Sequence, residues 1–369
     1  MKIGVVTNLD RQNYGSILQA YALQSVLKNM GIESFVLEKK VVINNSLMAR
    51  IKRFFAPSKN NYSLKNKWEI KKAKKLYVIK RKKISEFCNK YIDVFSCADN
   101  QQIIKKANSC QLMLAGSDQI WSPASGLLSD FYLLNFGEKA TYAKASYSAS
   151  VGVSEIPESD KDLFKKNLAD FDTVSLREKT GLKLLKDCTN NPIRTDLDPS
   201  LLYNEKYWNK FLDNCIDTEP YIFVYMLRAE PVTLEAAKKL SEKTGMKIKV
   251  CSNRIVKGNN IENITDAGIE DFLSLIYNAE YMITNSFHGT VFAVQFHKKF
   301  LSLAVTNTGS RVRDFLEDID LSDRILTTSQ NILRIDNEIN WYNVDKILEE
   351  KRRQSYNYLQ ELVNKYKNN

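Results

Sequence analysis

Short apolar runs alternate along this chain with polar loops and with stretches of helical spacing. The first run, IGVVT (Ile3 to Thr7), enters the polar loop NLDRQNYG. Ile17, Leu18, Tyr21, Ala22 and Val26 then fall at helical spacing, and Gly31 stops that helix. SFVLE (Ser34 to Glu38) is the next strand-like run. Strand, helix and strand in this order predict a parallel sheet with helices on its faces. QLMLAGSD (Gln111 to Asp118), YAKASYSASVG (Tyr142 to Gly152) and TVSLRE (Thr173 to Glu178) read as further strands ending in polar or charged loops.

The theme restarts at YIFVYML (Tyr221 to Leu227). A helix follows with Pro231 early and Gly245 at its end. KIKVCSN reads as a strand, IEDFLSLIYNAE as an amphipathic helix, YMITNS (Tyr281 to Ser286) as a strand, HGTVFAVQFH as a helix and FLSLAV (Phe300 to Val305) as a strand. Near the end, Ile347, Leu348, Leu359, Leu362, Val363 and Tyr366 share one helical stripe suited to packing on the N-terminal domain. The predicted fold class is α/β, with two Rossmann-like domains facing across a cleft. The expected divisions are residues 1–180 with a basic helical insertion at 39–90, residues 200–335, and a C-terminal helix over 340–369.

Composition sharpens this picture. At 369 residues and 44% hydrophobic, the chain suits two packed domains and not a disordered one. It shows no apolar leader and no run of about 18 apolar residues, so a cytoplasmic protein is expected. The six cysteines (Cys88, Cys97, Cys110, Cys188, Cys215, Cys251) contain no C-x-x-C pair and read as reduced thiols. With two histidines, His288 and His297, a His-rich metal site is excluded. The net charge of +11 is uneven: Lys39 to Lys90 holds 17 Lys/Arg against Glu69 and Glu86, an excess of +15. A segment of that kind, with Phe54, Phe55 and Trp68 among its lysines, suits an anionic membrane surface.

In open α/β sheets ligands bind beyond the carboxyl ends of the strands. That rule selects the loops Asn8–Ser16, Ala115–Gln119, Leu176–Glu178, Thr284–Thr290 and Asn307–Arg313. Thr284–Thr290 is the sharpest. Asn285 or Ser286 can cap the helix, Gly289 lets a ligand approach the backbone, and the helix N-terminus suits a phosphate or carboxylate. His288 is placed to titrate against that ligand. His297, nine residues on, falls about 180° around the helix and is not expected to share the site. Arg177 at a strand end, and Arg311 after the NTGS loop, can pair with an anion. Asp118, the single acid of its loop, can act as a base toward a sugar hydroxyl.

Taken in order, NYGSILQAYALQ, AGSDQIW, SYSASVG, VSLRE, DLDPSLL and NSFHGTVFA make the chain resemble the polysaccharide pyruvyl transferase family over roughly residues 1 to 315. The resemblance implies a fold like the two-domain glycosyltransferases called GT-B. It implies transfer from phosphoenolpyruvate to a sugar of a polysaccharide or of its lipid-linked precursor, giving a pyruvate ketal, with no further cofactor. It makes His288 and Asp118 the catalytic candidates. Arg177, Ser286, Gly289 and Arg311 are expected at the donor, and Asn13, Tyr14 and Gly15 at the acceptor. Two other readings compete. A nucleotide-sugar glycosyltransferase would share the fold. A nucleic-acid-binding protein would use the basic segment, but the chain carries no helix-turn-helix, zinc-finger or RNP pattern, so no nucleic acid is expected.

Overall fold

The computed structural model describes residues 1–40, 64–137, 140–212, 219–227, 230–252, 255–304 and 309–367, the side chains of 64–75 excepted. Two parallel sheets organise the chain. The first joins β1 (Lys2–Val6), β2 (Glu33–Lys39), β3 (Val94–Cys97), β4 (Leu112–Ala115), β5 (Ala143–Ser146), β6 (Phe171–Leu176) and β7 (Ile193–Thr195) in the order 3-2-1-4-5-6-7. The second joins β8 (Tyr221–Met226), β9 (Lys247–Ser252), β10 (Ile261–Ile264), β11 (Tyr281–Thr284), β12 (Lys299–Leu303) and β13 (Ile325–Leu326) in the order 10-9-8-11-12-13. Central strands such as LMLA and YIFVYM are buried at every position, as expected where helices cover both faces of a parallel sheet. In both sheets the strand order reverses beside the first strand, between β1 and β4 and between β8 and β11. Those reversals open the crevices where ligands sit in doubly wound folds.

Three details differ from the sequence reading. The first sheet runs past residue 180 to Thr195, because β7 pairs in parallel with β6. The stretch 142–152 is not one strand. β5 stops at Ser146, Ser148 takes a left-handed backbone (φ 53), and Ala149 makes isolated bridges to Asp118 and Leu176. The basic insertion is not wholly a solvated or membrane-facing hairpin. In the helix Leu64–Tyr91, Ile84, Phe87 and Cys88 are buried in the core, and Lys83 pairs with Asp271 of the second domain at 2.7 Å. Of the membrane surface expected of Lys39–Lys90, Lys39, Lys40, Arg81, Lys82 and Lys90 are exposed, while residues 41–63 and the side chains of 64–75 lie outside the described part.

Helix α1 (Tyr14–Asn29) belongs to both halves. It is buried nearly all round, the signature of a core helix and not of a surface one. Tyr14 stacks on Phe272 at 4.3 Å, and Tyr21 meets Phe87, Trp208 and Phe211 edge-on. One apolar cluster thus runs from α1 through Phe223, Phe272 and Phe292 of the second sheet's layer. The last helix, Trp341–Tyr366, ties the halves a second time. Val344 and Leu348 join that shared cluster, while Tyr358, Leu359, Leu362, Val363 and Tyr366 pack against Ile3, Val5 and Leu114 of the first sheet, as the apolar stripe predicts. The described cysteines are unpaired thiols; Cys215 lies outside the described residues.

Leu359 is 1% exposed under this returning helix. Leu359→Ala is expected to cost about 2–5 kcal/mol in chemical denaturation, the usual scale for a truncated core leucine. A loss within error would show that the helix end does not bear on the first sheet.

Candidate active site

The loops leaving β1 and β4 are laced together before they meet the second domain. Thr7 Oγ1 donates to the Ser117 carbonyl (2.7 Å), and Gln19 Nε2 donates to Thr7 Oγ1 (2.9 Å). Ser16 Oγ donates to the Asn8 carbonyl and accepts from the Asp10 N–H, curling the Asn8–Asn13 loop onto α1. From the other side, β11 ends in Asn285, whose Oδ1 accepts from the Leu227 N–H (3.0 Å), clamping β11 to the end of β8. Ser286 then caps the helix Phe287–Gln295 by accepting from the Gly289 N–H.

Between these loops lies a buried carboxylate. Asp198 is 1% exposed. Its Oδ2 accepts from Arg177 Nη1 (2.8 Å) and Ser117 Oγ (3.0 Å), and its Oδ1 accepts from Ser200 Oγ (2.6 Å) and the Ser200 N–H (3.0 Å). His288 Nε2 stands 3.3 Å from Oδ2, within ion-pair reach but off the hydrogen-bonding line. Burial alone would push the Asp198 carboxyl up. Positive charge at His288 and Arg177, with the Ser200 bonds, outweighs it and holds the carboxyl far below the ordinary carboxylate range.

The same imidazole is held from the first domain by Gly15. A Cβ at Gly15 would fall 2.1 Å from His288 Cγ and Nδ1, so glycine is what lets α1 come this close. Arg177 Cζ lies over the Phe287 ring, 4.3 Å from its centroid, and the Arg311 guanidinium is 6.0 Å from the same ring. Arg177 Nε and Nη2 are buried without a hydrogen bond among the described residues. Beside them opens a small cavity of about 70 Å³ lined by Arg177, Asp198, Phe287 and Asp318 among others.

A family model for polysaccharide pyruvyl transferase matches residues 13–307. The chain belongs to the polysaccharide pyruvyl transferase family. No curated protein matches it in sequence. Among solved structures, MnaA of S. aureus in complex with UDP is 12% identical and superposes with a TM-score of 0.53, over 98% of this chain and 97% of that one. UDP-N-acetylglucosamine 2-epimerase from Rickettsia bellii is 11% identical with a TM-score of 0.52, over 99% and 98%. At such identities the likeness shows the fold, the GT-B-like pair of Rossmann domains.

The structure redistributes the residues expected to serve this pyruvyl transferase. His288, Arg177, Arg311 and Gly15 do come together where the two crevices meet. Tyr14 does not face a ligand: it is fully buried, and its hydroxyl donates to the Ala267 carbonyl at 3.0 Å, so it is a packing residue between the domains. Gly289 is not an approach for a ligand either. A Cβ there would meet Thr284 Oγ1 at 2.4 Å, so the glycine serves the packing of helix on strand. Ser286 is 1% exposed and occupied as the cap, and Arg177 already holds Asp198. Asn13 caps α1, accepting from the Gly15 N–H at 3.1 Å. Asp118 takes a left-handed backbone (φ 77) and accepts from the Gln119 N–H (2.8 Å) and Asn8 Nδ2 (3.4 Å). His297 lies apart, stacked on Trp341 and 3.0 Å from Asp345.

Sequence reasoning missed Asp198, although the motif DLDPSLL was in view. Its signal was the Asp-Pro-Ser step, which presents the carboxylate as the cap of a short turn. It also missed Glu178, whose Oε1 accepts from Ser150 Oγ and from the N–H groups of Val151 and Gly152. That carboxylate ties the loop after β5 to the end of β6.

Asp198→Asn is expected to cost about 3–5 kcal/mol, because it removes the nearer carboxylate (2.8 Å) from the buried Arg177 and leaves only Glu178, 3.9 Å from Nε, as its anion. The Asp198 carboxyl lies below its unfolded value of about 3.9, so its contribution is complete above that pH and is lost as the pH falls below it. The stability gap between wild type and Asp198→Asn should therefore narrow as the pH falls from 5 toward 3. A gap independent of pH would contradict the assigned charge. Gly15→Ala should displace His288 and lower turnover at least tenfold while the far-UV spectrum is kept; full turnover would show that the contact is slack.

Proposed function

We propose that this transferase takes its pyruvyl group from phosphoenolpyruvate and forms a pyruvate ketal on a sugar of a polysaccharide or its lipid-linked precursor, with His288 as the proton donor. The observation that supports this most is the fixed imidazole, set between Asp198 and Gly15 at the start of a helix and flanked by Arg177 and Arg311.

The chemistry asks for few groups. C3 of phosphoenolpyruvate gains a proton and C2 becomes an oxocarbenium-like electrophile. Two sugar hydroxyls add to C2 in turn, each giving up its proton, and phosphate leaves. His288 delivers the proton to C3, with Asp198 holding the ring in one orientation. Arg311 and the two unbonded N–H groups of Arg177 hold the carboxylate and phosphate, helped by the helix N-terminus. Asp118 accepts a hydroxyl proton from the sugar. The protein's fold likeness to UDP-bound MnaA favours a second reading, in which a nucleotide-sugar occupies the second domain.

The two readings part on ligand binding. Phosphoenolpyruvate at 100 times its Kd should stabilise the protein by about 2.7 kcal/mol, raising Tm, while a UDP-sugar leaves Tm unchanged. The reverse result selects the nucleotide-sugar. His288→Ala should lower turnover roughly 100-fold or more, the scale of a positioned acid or base. His297→Ala, at the far end of the same helix, should retain it. Near-normal turnover in His288→Ala would remove the histidine from the mechanism.

A further inference from the structure

Among the described side chains of the basic helix, that of Lys80 has left the solvent. Lys80 is 6% exposed, whereas the Lys82 side chain two residues on is 77% exposed. The Lys80 Nζ lies over the face of the Tyr14 ring at 4.2 Å. No carboxylate or carbonyl among the described residues hydrogen-bonds to it. Its electrostatic neighbours are Asp10, in the loop that leaves β1, and the Cys251 thiol, near the end of β9. Both mark carboxyl ends of strands, one from each sheet, so the ammonium sits at the mouth between the two domains.

The position is built and not accidental. Three residues further along the same helix, Lys83 pairs with Asp271 at 2.7 Å, and its side chain packs so close to Gly268 that a Cβ there would fall 2.8 Å away. Ile84 and Phe87 are buried beneath. These contacts, with Phe87 against Tyr21 of α1 and Lys83 against the second domain, hold the Lys80 turn of the helix against both halves. Burial disfavours its charged form, as the depressed Lys80 pKa shows, and the Tyr14 face returns only part of that loss. A largely buried ammonium with three donors and no anion in hydrogen-bond contact is costly unless a ligand supplies one.

We propose that Lys80 is a substrate-binding residue: it receives a phosphate oxygen of the ligand in the interdomain cleft, so that the basic insertion completes the active site. This rests on the cleft being the active site, but not on phosphoenolpyruvate being the donor. The phosphate belongs either to the phosphoenolpyruvate donor or to a diphosphate-linked sugar.

The test compares wild type with Lys80→Met, which keeps the stem and removes the charge, and with Lys80→Arg. Isothermal titration uses phosphoenolpyruvate and a UDP-sugar, and thermal melts are run without ligand. Removing an uncompensated buried charge should leave the unliganded Tm equal or higher, while affinity for the phosphate-bearing ligand falls at least tenfold; Lys80→Arg should recover part of it. A loss confined to phosphoenolpyruvate assigns the donor phosphate, and one confined to the UDP-sugar assigns the diphosphate. Binding of the UDP-sugar alone, with the loss in Lys80→Met, sinks the phosphoenolpyruvate reading and keeps Lys80. Unchanged affinity in Lys80→Met, or a lowered Tm with affinity intact, overturns the proposal.

Discussion

The close contact between His288 and Gly15 governs this molecule. It joins the first residues of α1, which belong to the first sheet, to the helix that follows β11 in the second. Interfaces between domains in one chain are ordinarily modest and polar, and leave the domains free to move. Here the interface is continuous core. Tyr14, Tyr21, Phe272 and Phe292 pack as one cluster, and the imidazole sits where that cluster gives way to polar loops. Moving either half by an ångström would separate His288 from Gly15 or from Asp198, so the site exists only while the domains are docked.

Charge inside this junction follows the same logic. Asp198 and Arg177 are both out of the solvent, an arrangement that is stable only while every partner stays in place. Ser117 comes from the loop after β4, Arg177 from the end of β6, Ser200 from the connection between domains and His288 from the second domain. The carboxylate therefore reads the assembly state of four segments at once. Two of the non-glycine residues with left-handed backbone, Asp118 and Ser148, stand at successive strand ends beside this junction. Strain of this kind persists where surrounding structure over-determines it, and clusters where function demands a fixed geometry.

The basic insertion belongs to this picture as well. From Lys80 onward its helix bears on α1 through Phe87 and on the second domain through Lys83. Among its described side chains, Arg81 and Lys82 turn to solvent and Lys80 turns inward. A composition-level excess of positive charge thus says little until the helix phase is known, because residues three or four apart share a face while immediate neighbours do not.

The amino-acid sequence by itself determined the α/β class, the two parallel sheets, the returning C-terminal helix and the place of His288 at the start of a helix after β11. Each follows from local periodicity or from residues adjacent in the chain, such as strand YMIT running into NSFHG. The edge strands β3, β7, β10 and β13, of two to four residues, left too little period to read. What tertiary structure alone decided is which polar residues meet. Asp198 stands 90 residues before His288, and Lys80 stands 66 residues after Tyr14; no pattern in the chain records either distance in space. Tyr14 and Gly289 looked like ligand contacts because they neighbour a loop, and became packing elements because their side-chain volumes were needed, or forbidden, at the junction of two layers. Local spacing fixes secondary structure, but burial and partnership depend on contacts between distant segments, and these decide which of the candidate groups keep a free hydrogen-bonding edge.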